Sequence, residues 1–251
     1  MKAVILAAGQ GSRLLPLTET RPKCLVELSG RSLLQWQLEA LAVAGVREAV
    51  VVTGFGAEQV DSMLESGTPE GITVRTFYNP FYAQADNLAT CWLVREELTG
   101  GTLILNGDTL LEPKIAEVLL AAPPAPITVT VDRKERYDSD DMKVQVDGSR
   151  LLAIGKTLPD EIVGAESIGF LRFDARGAAL FREEVERTMR TPQGLKLWYL
   201  SAIHRLAQAG ADVRIASIEG LQWGEMDFPA DVARNRAMTA NWARWLPRCL
   251  R

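Results

Sequence analysis

The sequence predicts an α/β fold built on a predominantly parallel sheet. Three observations carry this expectation: strand-length apolar runs alternate with helical patterns through the first half, turn residues bound each run, and no apolar stretch approaches the ~20 residues of a membrane helix. KAVILAA (2–8), EAVVVTG (48–54), ITVRTFYN (72–79) and TLILNGD (102–108) are the runs, and their lack of polar alternation is that of strands covered on both faces.

The segments between them read as helices. SLLQWQLEALAVAG begins with Ser32 as an N-cap and stops at Gly45, and AEQVDSMLES and DNLATCWLVREEL follow the same helical period. Crossovers of this kind are right-handed and collect ligands at the carboxyl ends of the strands. After the proline-rich APPAPI (122–127) the pattern changes. KVQVDGSRLLAIGK (143–156) is a hairpin turning at Asp147-Gly148, SIGFLRF (167–173) and VRIAS (213–217) are strands, and helices fall near 175–190, near 199–209 and from about Pro229. With no repeat and no long linker, the 251 residues read as one domain, its second half (127–251) an insertion and lid on the first (1–126).

Composition narrows the function classes. A net charge of −4 provides no overall positive field for nucleic acid, so phosphate binding has to be local. Cys24, Cys91 and Cys249 are odd in number and lack metal-like spacing, which fits a reducing cytoplasm. The chain opens directly into a strand, without the pattern of a signal peptide. His204 is the single histidine, which argues against Ser-His or Cys-His nucleophiles and multi-histidine metal sites.

Chemistry is concentrated in GQGSRLLPLTETRPK (9–23), directly after the first strand. Glycines let backbone N–H groups approach an anion closely. A dinucleotide fingerprint would need glycine at Leu14, and the Gly-Lys-Ser/Thr of a P-loop is absent. What remains is Gly9-x-Gly11-x-Arg13, then Pro22-Lys23: a guanidinium that forks onto phosphate oxygens and an ammonium acting as a point charge. Asp108, at the end of TLILNGD, has the placement of a magnesium ligand beside such a loop.

The stretch KAVILAAGQGSRLLPLTETRPKCLVELSGRSLL resembles the N-terminal signature of the nucleotidyltransferases that activate sugar 1-phosphates and small alcohol phosphates; NGD (106–108) and, more loosely, WGEMDFPADV extend the likeness. The resemblance implies a Rossmann-like three-layer fold with a β-rich acceptor-binding and lid region. It implies that Leu6, Ala7, Ala8, Gly9, Gly11, Ser12, Arg13, Lys23, Asn87 and Gly107 bind the nucleotide. Arg13, Lys23 and Asp108 would be catalytic, and Asp108 and Asp227, the latter in preference to Glu225, would hold Mg2+. The segment between the two cations then reads as a mobile phosphate lid. A phosphate monoester, whose second pKa is about 6, would attack the α-phosphorus and expel pyrophosphate without a general base.

NPFYAQADNLATCWL is similar to the branch that uses CTP with phosphocholine or related amino-alcohol phosphates and phosphonates. On that reading Lys143 and Lys156 hold the acceptor's phosphate. Glu166 with Asp141 would hold a primary ammonium, or Tyr137, Trp198, Tyr199 and Trp223 would cage a quaternary one. The expected partners are CTP and a small phosphorylated acceptor, with no nucleic acid or membrane; a homodimer is compatible with this reading. Two alternatives stay open: a sugar 1-phosphate uridylyl- or thymidylyltransferase, and a non-catalytic nucleotide-binding regulatory module.

Overall fold

In the computed structural model, which describes residues 1–242, each apolar run of the first half becomes a strand. The elements follow in the order β1 (Lys2–Leu6), β2 (Glu27–Leu28), β3 (Arg31–Ser32), α1 (Leu33–Val43), β4 (Glu48–Thr53), α2 (Ala57–Glu65), β5 (Thr73–Tyr78), α3 (Asn87–Leu93), β6 (Thr102–Asn106), β7 (Thr109–Leu111) and α4 (Pro113–Ala121). After them come β8 (Ile127–Asp132), β9 (Lys143–Asp147), β10 (Arg150–Ile154), β11 (Ala165–Phe173), α5 (Ala175–Met189), α6 (Leu200–Gln208), β12 (Val213–Ser217), β13 (Trp223–Glu225) and α7 (Pro229–Trp242). Cys249 lies outside the described residues.

The chain forms two compact units whose boundaries cut across the 126/127 division. One comprises 1–83, 106–117 and the segment from 221 onward; the other comprises 84–105 and 118–220. In the first, β1 pairs in parallel with β4, and β4 with β5. Ala3, Val4 and Ile5 of β1 and Val50, Val51 and Val52 of β4 are buried, as unalternated apolar strands require. The second unit holds the antiparallel part of the expected mixed sheet. There β11 lies antiparallel to β6 and β8, β9 and β10 form the expected hairpin, and β8–β12 is the parallel pair. The fold is thus a mixed α/β one whose parallel part is concentrated in the first unit.

Local signals explain the ends of α1. Ser32 and Gln35 form a reciprocal capping box: the Gln35 backbone N–H donates to Ser32 Oγ at 3.2 Å, and the Ser32 N–H donates to Gln35 Oε1 at 2.8 Å. Gly45, at φ 86°, terminates it in the left-handed conformation that glycine adopts without a steric cost. One face of α1 joins a buried cluster of Leu14, Val26, Leu28, Leu33, Trp36, Leu110, Met226, Val232 and Trp242. Trp36 meets Trp242 edge-on at 5.8 Å, and its indole N–H donates to Leu28 O at 2.9 Å. The final helix α7 is therefore anchored to the same core as the loop after β1, which sets the site described next.

Candidate active site

The glycine loop leaves β1 just past Leu6. Ala7 and Ala8 are buried beside β4, where Ala7 N–H donates to Val52 O at 3.0 Å and Phe55 N–H to Ala8 O at 3.0 Å. Gly9 is exposed, and a Cβ there would meet nothing within 4 Å, so its backbone is open to an approaching group. Gly11 is constrained twice: its φ is 79°, and a Cβ would come within 2.9 Å of Lys23 Cβ and Cδ. The second glycine thus exists for the lysine that follows twelve residues later.

Between them the loop is pinned. Ser12–Leu14 forms a 3-10 turn, Leu14 is fully buried in the core, and Thr18 Oγ1 donates to Gly11 O at 2.7 Å. Within the segment read as a mobile phosphate lid, Leu14 and Thr18 are fully buried. Periodicity fails here because single residues, not a stripe, provide the attachment.

Lys23 lies at the centre of an ionic cluster. Its Nζ donates to Asp108 Oδ2 and to Asp227 Oδ1, each at 2.8 Å, while Arg13 Nη2 contacts Asp227 Oδ2 at 2.9 Å. The Lys23 side chain is only 15% exposed and that of Arg13 is 47% exposed. Burial alone would lower the Lys23 pKa, but attraction to Asp108 and then Asp227, with hydrogen bonds to both, raises it above the ordinary value. The ammonium therefore remains charged. Arg13 is further held over the Phe228 ring, 4.9 Å from its centroid.

Three segments bring these side chains together. Asp108 sits in the turn between β6 and β7, where Gly107 N–H donates to Leu6 O at 3.1 Å. A Cβ on Gly107 would meet Leu6 O at 2.5 Å and Ala7 Cα at 2.7 Å, so glycine is required for this close approach. Strand β13 pairs antiparallel with β7, with Glu225 opposite Thr109, and the chain then turns to present Asp227. Asp231 fixes that turn: its Oδ2 accepts from Asp227 N at 3.0 Å and from Phe228 N at 2.7 Å. Sequence reasoning misses Asp231, although Pro229 followed by an acid at the third helical position is a readable helix-start signal. Asp227 is thereby freed from capping α7.

Magnesium takes one or two carboxylates and completes its shell with phosphate oxygens and water. Asp108 and Asp227, converging on one ammonium, fit that donor set. Among the described residues no three His, Cys, Asp or Glu side chains gather into an all-protein cage.

In the second unit, Lys134 Nζ lies 2.7 Å from Asp141 Oδ2 and 2.9 Å from Glu166 Oε2, with the Tyr137 ring centroid at 5.9 Å. Burial pushes Glu166 up to about 7, against the pull of Lys134 and reinforced by Asp141's charge. Burial would also raise Asp141, but hydrogen bonds from Lys134 and the Asp138 backbone hold it below the carboxylate range. Lys143 is buried with its Nζ 2.6 Å from Asp160, and Lys156 Nζ is 3.3 Å from Asp140 and 4.9 Å from the Trp198 centroid. Asn87 Oδ1 accepts from Tyr199 N at 2.8 Å, so this carboxamide braces the entry to α6.

The aromatic residues do not share one role. Tyr199 is fully buried edge-on to Phe181, which corrects its expected place in a cage: a ring with no exposed face is a core residue. Tyr137 and Trp198 each face an internal lysine, and Trp223 is half-buried in β13.

The family model described as nucleotidyl transferase matches residues 2–141. The chain is 32% identical over 238 residues to a CMP-5'-(3-aminopropyl)phosphonate synthase of Streptomyces rubellomurinus, covering 92% of this chain and 37% of that protein. It is 38% identical over 111 residues to a choline-phosphate cytidylyltransferase of Streptococcus pneumoniae, covering 44% of this chain and 46% of that one. The alignments thus span less than half the length of these two curated relatives. Among solved structures, a CTP:phosphocholine cytidylyltransferase from Streptococcus pneumoniae superposes with a TM-score of 0.78 at 25% identity, covering 95% of this chain and 98% of that one.

Proposed function

The chain belongs to the nucleotidyl transferase family, and we propose that it transfers a cytidylyl group from CTP to a small phosphate or phosphonate bearing an ammonium group, releasing pyrophosphate. The observation that carries this reading is the convergence of Asp108, Asp227 and Arg13 on and around the Lys23 ammonium. Two cations and two carboxylates are paired here, so a metal ion can take the carboxylates while Arg13 and Lys23 turn to the phosphate oxygens.

On this reading Arg13 and Lys23 bind the phosphate chain, and the open backbone at Gly9 lies along it. Bound magnesium, held by Asp108 and Asp227, would supply charge neutralisation for the phosphate oxygens and the departing pyrophosphate. Lys23 holds its charge because of its carboxylate neighbours, and it stabilises charge at the α-phosphate as the acceptor oxygen attacks. The acceptor's own anion is the nucleophile, so a chain with a single histidine suffices. Asn87 contributes to nucleotide binding from the start of α3.

For the acceptor, Asp141 and Glu166, which hold the Lys134 ammonium here, support a primary amine taking that ammonium's place, since its N–H groups satisfy two carboxylates as a quaternary ammonium cannot. Lys156, whose contact with Asp140 is the longer of the two lysine pairs, exchanges onto the acceptor's phosphate, and Lys143 is the second cation available to it. The names of the two curated relatives, an aminopropylphosphonate and a choline-phosphate enzyme, support this class of acceptor. The buried free thiols of Cys24 and Cys91 support a reducing, cytoplasmic setting.

Pyrophosphate release measured with CTP, UTP, dTTP and ATP against aminoalkylphosphonates, phosphocholine and sugar 1-phosphates tests the reading. Turnover with CTP and an ammonium-bearing acceptor, abolished in Asp108→Ala, is expected. Turnover confined to sugar 1-phosphates would replace the acceptor class, and the absence of turnover with every pair would make the protein a nucleotide-binding module.

A further inference from the structure

A residue outside the ionic cluster hydrogen-bonds the backbone on either side of Asp108. Gln37, on α1, is fully buried, and its side-chain Nε2 donates two hydrogen bonds of 2.8 Å, one to Asn106 O and one to Thr109 O. Those carbonyls bracket the Gly107–Asp108 turn on both sides. A single planar carboxamide therefore fixes the width of the turn, while Gly107, pressed against Leu6 and Ala7, fixes its depth.

The other end of the carboxamide argues that this is what the residue is for. Gln37 Oε1 is buried and makes no hydrogen bond among the described residues, and neither does the buried Asn106 Oδ1. A buried acceptor without a partner is a cost to stability, and an apolar side chain of the same length would avoid it. Every neighbour of Gln37 from Trp36 to Leu41 on α1 is buried, so the position is otherwise a core one. A polar group kept there has both its donors aimed at one turn.

We propose that Gln37 is a positioning residue: it clamps the backbone on either side of Asp108 and so holds that carboxylate in register with Lys23 and Asp227 for metal binding. The inference rests on the assignment of Asp108 made above. Gln37→Met retains length and removes both donors; Gln37→Glu retains shape and, when ionised, turns both terminal atoms into acceptors that face carbonyl oxygens.

The test combines two readouts. In each variant that folds, backbone amide exchange at Gly107–Thr109 is expected to accelerate at least tenfold, with the amides of β4 unchanged. In the transfer reaction, kcat is expected to fall at least tenfold, the magnesium midpoint to rise severalfold, and KM for CTP to change less than threefold. Wild-type exchange at Gly107–Thr109 in either folded variant overturns the clamp, as does a wild-type magnesium midpoint with wild-type kcat. The exchange measurement needs no substrate: if the natural protein proves inactive with every nucleotide, the functional reading fails while the clamp is still decided. If the Gln37→Met substitution prevents folding, the isosteric Gln37→Glu variant decides the question alone.

Discussion

Lys23 Nζ and Asp108 Oδ2 stand 2.8 Å apart although 85 positions separate them in the sequence. An ammonium this enclosed needs counter-charge, which Asp108 supplies together with Asp227.

Removing the ammonium is expected to lower the rate and also to leave Asp108 and Asp227 without their shared donor. Lys23→Ala is expected to raise the transfer barrier by roughly 3–4 kcal/mol, about 100- to 1000-fold in kcat, by analogy with losing a preorganised oxyanion donor. Steady-state pyrophosphate release checks this. Since the folded pKa of Lys23 is raised, the cluster's contribution to stability is fully present below 10.5 and declines only as pH rises past that value.

Gly107→Ala is expected to be disproportionately harmful for a single methyl group. The added carbon meets main-chain atoms, Leu6 O at 2.5 Å and Ala7 Cα at 2.7 Å, that belong to the start of the phosphate loop and cannot rotate away. Overpacking of this type costs about 1–3 kcal/mol. Chemical denaturation should show that loss, and nucleotide affinity should fall with it because the loop itself is displaced.

Glu39 makes stability depend on pH within a definable window. Burial pushes its carboxyl up from 4.5 to about 7, although Arg31 Nη1 lies 2.6 Å away and pulls the other way. Below 4.5 both folded and unfolded chains hold the proton; between 4.5 and about 7 the unfolded chain releases it first, so the folded state loses stability as pH rises. Glu39→Gln should flatten this part of the profile relative to the natural protein when urea midpoints on either side of that window are compared.

A corresponding window should appear in acceptor recognition. Glu166, pushed up to about 7, gains its charge as pH rises through neutrality, so KM for an aminoalkylphosphonate should fall across that range. Comparing acceptors with and without the amino group cancels the titration of the phosphonate itself. Glu166→Gln should remove the amine-dependent part of the pH profile and raise KM for the amine acceptor about tenfold, the loss of one charged hydrogen bond. A profile unchanged by the substitution would dissociate Glu166 from the acceptor.

Much of the site is legible in the sequence because its parts sit at element ends that leave local signals. Gly9, Gly11, Arg13, Lys23 and Asp108 announce themselves by glycine spacing, charge and position after an apolar run. The structure joins three of them with Asp227 in one cluster. Gln37 and Leu14 are not legible in this way. A glutamine within LLQWQLEAL has the periodicity of any helix face, and nothing nearby reveals that its partners are carbonyls about seventy positions away. The same limit explains the sheet. Apolar runs identify strands, but direction depends on which strands become neighbours, and β8 hides behind the prolines at 123–126 that read as a linker. With β8 in place, β11 finds an antiparallel partner that the alternation of the first half does not foretell.

The segment from 221 onward returns to the first unit after a long excursion, bringing Asp227 to a lysine 204 positions earlier. A ribosome that has delivered everything up to Gly220 has already made the glycine loop, Lys23 and Asp108, yet the tetrad of charges is still open. Doubling so long a tether adds only about 0.6 kcal/mol in closure entropy, so the delay is one of time rather than of equilibrium. Asp227 is thus the last of the four charged residues to be synthesised, and the cluster closes only through a contact spanning 204 positions.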